Sequence, residues 1–412
     1  MTMAKGLPSN LIVPPESFSA ERLTRQAQEF GYAQANTLEA LIWDYELYAQ
    51  LQQRASKSCR LKGGAAVQLY VTGGRQRASI DIDVLTTLSQ REMHQMLEDI
   101  SNAYSAEEPY LQFVLYIPDE PTAIEGLNSY TTLAPSSLGQ KWHLEDGTLV
   151  EARMIKVDIH ETPSLPHGES RDGVAAGIPL GYQPLCVRRG YLIAEKLLTQ
   201  ARGTVGVPDD RYQDLPKHLY DLDSLLLSTE VVESLEEASD WLPMLIGEQG
   251  KQWQGDSSVE RVLDDLETSL LNLAIIDYSD ERQRYGSAVQ RLDTLYLPGG
   301  SRMRLHQWAT MAARTLGIVR LFKLRIMGEE KTIQDLYPQA DRLAGEIRSH
   351  TEASKLTRTL CELLPDPLRR MRQLRGSPPE RLFWILVTWE NLRELNEIIS
   401  EGKQEPSEIP WK

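Results

Sequence analysis

The sequence has few cysteines, no long apolar run and no clustered histidines, and each absence excludes a class of protein. Its 412 residues include 3 cysteines without C-x-x-C spacing, Cys59, Cys186 and Cys361. This excludes a zinc ribbon and a disulfide-stabilised scaffold. The 7 histidines show no metal-ligand spacing. No run reaches the roughly 18 apolar residues of a membrane span, and the N-terminus lacks an apolar signal segment. We therefore expect a cytoplasmic protein without a membrane partner.

The formal net charge of −15 is concentrated in one part of the chain. Residues 219–281 contain 16 acidic residues against two basic ones, which gives that segment a charge of −14. Residues 301–325 contain no acid and six cations: Arg302, Arg304, Arg314, Arg320, Lys323 and Arg325. The segment "LRRMRQLRG" adds four more arginines. The low overall charge thus does not exclude a polyanionic partner, although amphipathic helices with solvated faces would explain the same pattern.

The periodicity of apolar residues changes near residue 185. Before it, alternating or apolar runs such as "CRLK" and "ASIDIDVLT" predict strands between helical segments, one of which is broken at Gly31. After it, helical periods continue almost to the end. We therefore predict an α+β fold with a mixed-sheet core in residues 1–185 and a mostly α-helical domain in residues 186–412.

Asp81 and Asp83 stand two positions apart in a predicted strand. Strand alternation places them on one face, with Cα atoms roughly 6.5 to 7 Å apart, and such carboxylates repel unless a cation lies between them. Asp158 lies in another predicted strand, and three carboxylates could hold two Mg²⁺ ions. Gly63 and Gly64 would let the backbone approach phosphates closely. An isolated Asp-x-Asp is also typical of a solvated edge strand.

Taken together, "LKGGAAVQLYV" and "RASIDIDV" resemble the first motif of the AbiEii/AbiGii-type toxins. These include the MenT toxins and belong to the nucleotidyltransferase superfamily with a DNA polymerase β-like fold. The residues that match are Lys62, Gly63, Gly64, Arg77, Ser79, Asp81 and Asp83. The resemblance implies that the two aspartates bind Mg²⁺, that the other matching residues bind the nucleotide, and that Asp158 is the third acid, where glutamate is common.

A downstream family motif resembles "AEKLL" and "KHLYDLDSL". It implies that Lys196 contacts the triphosphate and that Asp221 is a catalytic residue near the nucleophile, while the arginine-aspartate pattern of the family is replaced by Lys217 and His218 here. The resemblance covers about residues 58–225. Without it, Lys196 would be interpreted as a surface lysine, Asp221 as a helix-helix hydrogen-bond acceptor and Arg77 as a surface ion pair.

The resemblance implies a transferase that uses an NTP and two Mg²⁺ ions, with Mn²⁺ as a possible substitute. It would transfer NMP to an RNA, the 3′ end of a tRNA, as the toxin of a toxin-antitoxin or phage-defence pair with an antitoxin protein as partner. The first two helices after residue 186 would complete the active site, and the six cations of residues 301–325 would bind RNA. Two alternatives stay open: NMP transfer to an antitoxin protein, and a catalytically silent nucleotide-binding module.

Overall fold

The structure is a computed structural model that describes residues 7–8, 10–71, 75–104, 114–116, 126–144, 147–227, 230–251, 256–328, 333–388 and 390–401. It divides into two compact units. The first consists of residues 1–192 with residues 290–302, and the second of residues 193–289 with residues 303–412. The first continuous stretch of unit one thus ends shortly after the predicted boundary at residue 185, and the return of residues 290–302 to that unit was not predicted.

The first unit is built around a large sheet and also contains a separate two-stranded sheet. The strands of this unit that lie in the described residues are β1 Cys59–Lys62, β2 Asp81–Thr86, β3 Val114–Tyr116, β4 Leu127–Pro135, β5 Lys141–His143, β6 Leu149–Glu161, β7 Gly168–Ser170, β8 Val174–Ala175, β9 Ile178–Pro179 and β10 Leu185–Val187. Of these, β8 and β9 form the two-stranded sheet. Its helices are α1 Ala20–Phe30, α2 Ala35–Ala55, α3 Gly63–Tyr70 and α4 Gln90–Tyr104, and α5 Arg189–Leu198 begins in it. The predicted helix break is confirmed, because Gly31 ends α1 with a left-handed φ of 77°, as glycine commonly does.

Within the described residues, the main sheet has the strand order β3-β4-β6-β2-β1-β10-β7, and β5 pairs with the N-terminal part of β6. The pairs β2–β6 and β1–β10 are parallel, whereas β1–β2 and β4–β6 are antiparallel. The sheet is therefore mixed, which confirms the predicted α+β class. Strand β2 lies between β1 and β6, in the middle of the sheet.

Helix α2 is buried along most of its length, from Thr37 to Leu51. Buried polar groups require hydrogen-bond partners, and most of those on α2 have them. The Glu39 carboxylate accepts from Ser136 Oγ and the Ser137 N–H. The Glu46 carboxylate accepts from the backbone N–H groups of residues 12 and 13. These bonds attach irregular segments to α2 and make it the central helix of the first unit.

The second unit is helical, as predicted for the C-terminal half. Its further helices are α6 Leu215–Leu226, α7 Val231–Gly250, α8 Val259–Ala274, α9 Arg282–Leu295 (which ends in the first unit), α10 Leu305–Ile326, α11 Ile333–Arg348, α12 Ala353–Leu363, α13 Pro379–Leu386 and α14 Leu392–Glu401. Helix α10 is largely buried against α8 and α13. Gly317 allows this close approach, since a Cβ there would lie 2.6 Å from the Trp384 ring. None of the described helices combines the length and the apolar character that crossing a bilayer requires.

Candidate active site

Strand β2 carries the two candidate metal-binding carboxylates on one face. Asp81 and Asp83 are half-buried, while Ile82 and Val84 between and after them are fully buried. The apolar side chains therefore anchor the opposite face of the strand in the core, and this fixes the direction in which the two carboxylates point.

The strand register brings further predicted residues beside Asp83. Lys62 of β1 and Asp158 of β6 are its direct partners on the neighbouring strands, and Ser129 of β4 is the partner of Asp158. Directly paired residues project from the same face of a sheet. The structure thus forms a row of polar side chains across four strands, with Asp83 and Asp158 adjacent. Asp81 stands beside Lys156 in the next row.

The turn from β1 into α3 has no room for side chains. Gly63 has a φ of +67°, and a Cβ there would lie 1.9 Å from Asp83 Oδ2. A Cβ on Gly64 would lie 2.7 Å from Arg77 Nη2 and 2.8 Å from Ser79 Oγ. The backbone of this turn therefore lies directly against the candidate metal ligands. Main-chain N–H groups at the start of α3 would suit a phosphate, and the carboxylate beside them is a ligand of the type that Mg²⁺ prefers.

The segment before β2 is held by hydrogen bonds from within the first unit. The Arg77 N–H donates to Gln68 Oε1 of α3 at 2.7 Å, and the Ala78 N–H donates to the Tyr296 carbonyl at 2.9 Å. Ser79 Oγ donates to Asp81 Oδ1 at 3.2 Å. Arg77 is only 2% exposed, so a surface ion pair does not explain it. Its predicted role in nucleotide binding stays a prediction.

Asp158 is held by its own sheet. Its Oδ1 accepts from Ser129 Oγ at 2.5 Å, and its Oδ2 accepts from Lys156 Nζ at 2.7 Å. Among the described residues, no three His, Cys, Asp or Glu side chains are arranged to hold a metal ion. Mg²⁺ is commonly bound by one or two carboxylates, with water and substrate phosphates as the other ligands, and binding of a metal ion by Asp81 and Asp83 stays a prediction. The role of Asp158 as a third ligand stays a prediction.

Asp44 of α2 was missed in the sequence. It is fully buried, and neither of its carboxylate oxygens has a hydrogen-bond partner in the described part of the chain. Burial raises the pKa of Asp44 well above its usual value, and the negative charges of Asp81 and Asp83 raise it further, against the opposing effect of Arg153. The electric field of the candidate site therefore reaches this residue. An acid inside the apolar run "LIWDYEL" was the signal that could have indicated it.

Lys196 and Asp221 lie together in the second unit. Lys196 Nζ is 3.8 Å from Asp221 Oδ2, and the two side chains are 6% and 1% exposed. Asp223, two residues further along α6, is instead paired with Arg314 of α10. Lys196 is therefore not the surface lysine of the alternative interpretation. The catalytic roles assigned to Lys196 and Asp221 stay predictions.

Most of the cations that were predicted to bind RNA are paired with the acidic segment. Arg314 pairs with Asp223, and the other three of α10 contact carboxylates of α7 and α8: Arg320 with Glu267 at 3.3 Å, Lys323 with Asp264 at 2.6 Å, and Arg325 with Asp240 at 2.7 Å. Arg302 and Arg304 are exposed. The clustering of opposite charges in the sequence thus corresponds to ion pairs between neighbouring helices. The RNA-binding role of the six cations stays a prediction, to which these ion pairs lend no support.

Comparison with known proteins gives one match to a family model. Residues 47–243 match the nucleotidyl transferase AbiEii toxin, Type IV TA system. This range contains every predicted catalytic and nucleotide-binding residue but neither Asp44 nor the six predicted RNA-binding cations. Among curated proteins, none matches the chain with significant similarity.

Solved structures with a low degree of similarity to this chain include two nucleotidyltransferase-like proteins. One is an antigenic nucleotidyltransferase-like protein from Paracoccidioides brasiliensis, with a TM-score of 0.27, 13% identity, and coverage of 50% of this chain and 91% of that chain. The other is a nucleotidyltransferase candidate from H. pylori, with a TM-score of 0.30, 14% identity, and coverage of 74% and 99%. TM-scores this low give no support to any statement about the function of this chain.

Proposed function

This chain carries an AbiEii nucleotidyltransferase toxin domain in residues 47–243, and from this premise we propose that it transfers NMP from an NTP to an RNA. The acceptor that we propose is the 3′ end of a tRNA, in the cytoplasm, with an antitoxin protein as the partner that restrains the enzyme. Nucleotidyltransferases of this family use a divalent metal ion. For this chain we propose Mg²⁺, as two ions, with Mn²⁺ able to replace them.

The observation that carries the proposal is the contact between the Gly63–Gly64 turn and the Asp83 carboxylate. A glycine turn packed against the Asp83 carboxylate, next to two carboxylates on one strand face, suits main-chain binding of a triphosphate whose charge a metal ion neutralises. When bound, the metal ions supply neutralisation of the triphosphate charge and a lowered pKa of the attacking hydroxyl.

The residues of the chain then have distinct tasks. Asp81 and Asp83 hold the metal ions, and main-chain N–H groups of the Gly63–Gly64 turn donate to phosphate oxygens. Ser79, already bonded to Asp81, keeps that carboxylate in position. Lys196, which lies beside Asp221, binds the triphosphate.

The transfer is a single displacement at phosphorus. The acceptor hydroxyl oxygen forms a bond to the α-phosphorus, the bond from that phosphorus to the bridging oxygen breaks, and pyrophosphate leaves with the electron pair. The hydroxyl proton passes to a site carboxylate or to solvent. The product is the RNA extended by one nucleotide.

Incubation of the protein with each α-³²P-labelled NTP, Mg²⁺ and total tRNA tests this proposal. We expect label from one NTP in RNA, sensitive to RNase, with the wild type and none with Asp83→Asn. Asp99→Asn is the matched control, because Asp99 is an exposed acid on α4 of the same unit. Label that survives RNase but not protease would replace RNA by a protein acceptor. NTP binding without transfer to RNA or protein would show a silent module and refute the proposal.

A further inference from the structure

A short arginine-rich segment of the second unit differs from α10 in its surroundings. Residues 368–376, here called the arginine turn, contain four arginines and no acid. The four are all exposed: Arg369, Arg370, Arg372 and Arg375. This segment lies outside the matched domain.

The arginine turn has a defined backbone. It consists of two 3₁₀ turns, Leu368–Arg370 and Arg372–Gly376, whose apolar residues Leu368 and Leu374 are buried. The Met371 N–H donates to the Leu368 carbonyl at 2.9 Å, and the Leu374 N–H donates to the Met371 carbonyl at 3.0 Å. The two buried leucines fix the segment on the unit, so the arginines between and around them point into solvent.

These arginines have few acidic partners. Arg369 and Arg370 share Asp366, with distances of 3.4 and 3.2 Å to the same carboxylate oxygen. Both ion pairs are exposed, and exposed ion pairs contribute little to the free energy of folding. Arg372 and Arg375 have no hydrogen bond or ion pair to any residue that the structure describes. Unlike the cations of α10, they are available to an external anion.

The chemistry of the segment favours phosphate groups of a nucleic acid over a protein surface. Guanidinium groups bind phosphates through two parallel hydrogen bonds. The outermost arginines lie six positions apart, and a 3₁₀ rise of about 2 Å per residue places their Cα atoms roughly 12 Å apart, a length over which a nucleic-acid strand presents several phosphates. Protein interfaces depend on buried apolar or aromatic anchors, and no large hydrophobic side chain of residues 365–377 is exposed.

We propose that the arginine turn binds the sugar-phosphate backbone of the acceptor RNA. The inference rests on the proposed function for the identity of RNA as the substrate. The inference places the RNA contact at the arginine turn and not at the basic face of α10, where the cations form ion pairs with carboxylates. Backbone contacts of this kind position a nucleic acid without reading its sequence.

The test is the affinity of the full-length protein for fluorescently labelled total tRNA, measured by anisotropy between about 50 and 200 mM salt. The variant is Arg372→Gln/Arg375→Gln. We expect binding to weaken about ten-fold and the slope of log K against log salt to fall by about 1.5, because each phosphate contact contributes roughly 0.7 to 0.9. The NTP affinity should not change.

The matched control is Arg261→Gln/Arg393→Gln, which removes the same charge from exposed arginines of α8 and α14. An equal loss in this control would show an effect of net charge and refute the proposal. Unchanged RNA affinity in the arginine-turn variant would also refute it, and so would weaker binding of an antitoxin with RNA binding intact. Circular dichroism verifies that the double variant is folded. The single variant Arg372→Gln repeats the test with a smaller change.

The two proposals fail in different ways. Asp83→Asn should bind RNA as the wild type does while losing transfer, because the arginine turn is not part of the metal site. Wild-type protein that binds no RNA and labels only protein would refute the proposed function and the inference together. Wild-type protein that labels RNA, with an arginine-turn variant of equal affinity, would refute the inference alone.

Discussion

The sequence Asp-x-Asp occurs twice in this chain, and the two copies lie on different types of secondary structure. Asp81 and Asp83 lie on strand β2, while Asp221 and Asp223 lie on helix α6. Alternate residues of a strand share a face, but residues two apart on a helix point about 200° apart. The strand copy therefore concentrates negative charge on one face, and the helix copy sends its two carboxylates in different directions.

The carboxylates of the helix copy lie beside cations of their own unit, and the strand copy packs against a glycine turn. Asp221 lies beside Lys196 and Asp223 pairs with Arg314. Asp83 instead faces the Gly63–Gly64 turn, where no Cβ fits. The same three-letter pattern thus places two carboxylates on one face of a strand, where we propose a cation site, and on different faces of a helix, where each lies beside a cation.

The largest expected effect is the loss of transfer when the strand copy is changed. Asp83→Asn should lower the rate of transfer by at least about 100- to 1000-fold, because the charge that holds the metal ions and triphosphate is lost. The melting temperature should stay the same or rise, since one of two neighbouring like charges is removed. Single-turnover label transfer and thermal unfolding measure the two quantities. Activity within ten-fold of the wild type would contradict the metal-site assignment.

The helix copy should show the reverse behaviour at Asp223. Asp223→Ala should lower the free energy of unfolding by about 3 to 5 kcal/mol, because it leaves the Arg314 guanidinium buried without its ion-pair partner. Urea unfolding measures this. Asp240→Ala is the control, since Asp240 pairs with Arg325 but is 68% exposed, and its loss should cost less than about 1 kcal/mol. Equal destabilisation by the two changes would remove the distinction between them.

Asp221 and Lys196 sharpen the comparison because their pairing is buried and their predicted role is catalytic. Lys196→Met should raise the KM for the NTP and lower kcat/KM by roughly 10- to 100-fold, if Lys196 binds the triphosphate as proposed. A role in structure alone would change the unfolding free energy and leave KM unaltered. Measuring both in the same preparation separates the two roles.

A smaller effect is expected at Asp44, whose carboxylate has no hydrogen-bond partner among the residues that the structure describes. The pKa of Asp44 in the folded state is raised above its unfolded value of about 3.8. Its contribution to stability is therefore complete below pH 4 and is lost as the pH rises through the folded-state pKa. Asp44→Asn does not titrate, so its melting temperature should increasingly exceed that of the wild type from pH 4 to pH 8. A constant difference across this range would show that the pKa of Asp44 is not raised in the folded state.

By itself, the sequence determined the features that depend on neighbours along the chain. The strand-turn-helix at residues 59–70 and the alternation of β2 follow from local periodicity and from two glycines, and so does the side-by-side position of Asp81 and Asp83. The α+β class follows from the change of period near residue 185. These features need only a few consecutive residues, and the motif that they form also indicated the family.

Only the tertiary structure decided which distant residues meet. The pairing of Asp83 with Asp158 depends on β2 and β6 being adjacent and parallel, and the docking of Tyr296 on Ala78 depends on a chain return of more than 200 residues. The field of Asp81 and Asp83 at Asp44 and the ion pairs between α10 and the acidic helices are equally non-local. Charge and burial depend on three-dimensional distance, which periodicity does not encode, and so the sequence alone did not separate the occupied cations of α10 from the exposed ones of the arginine turn.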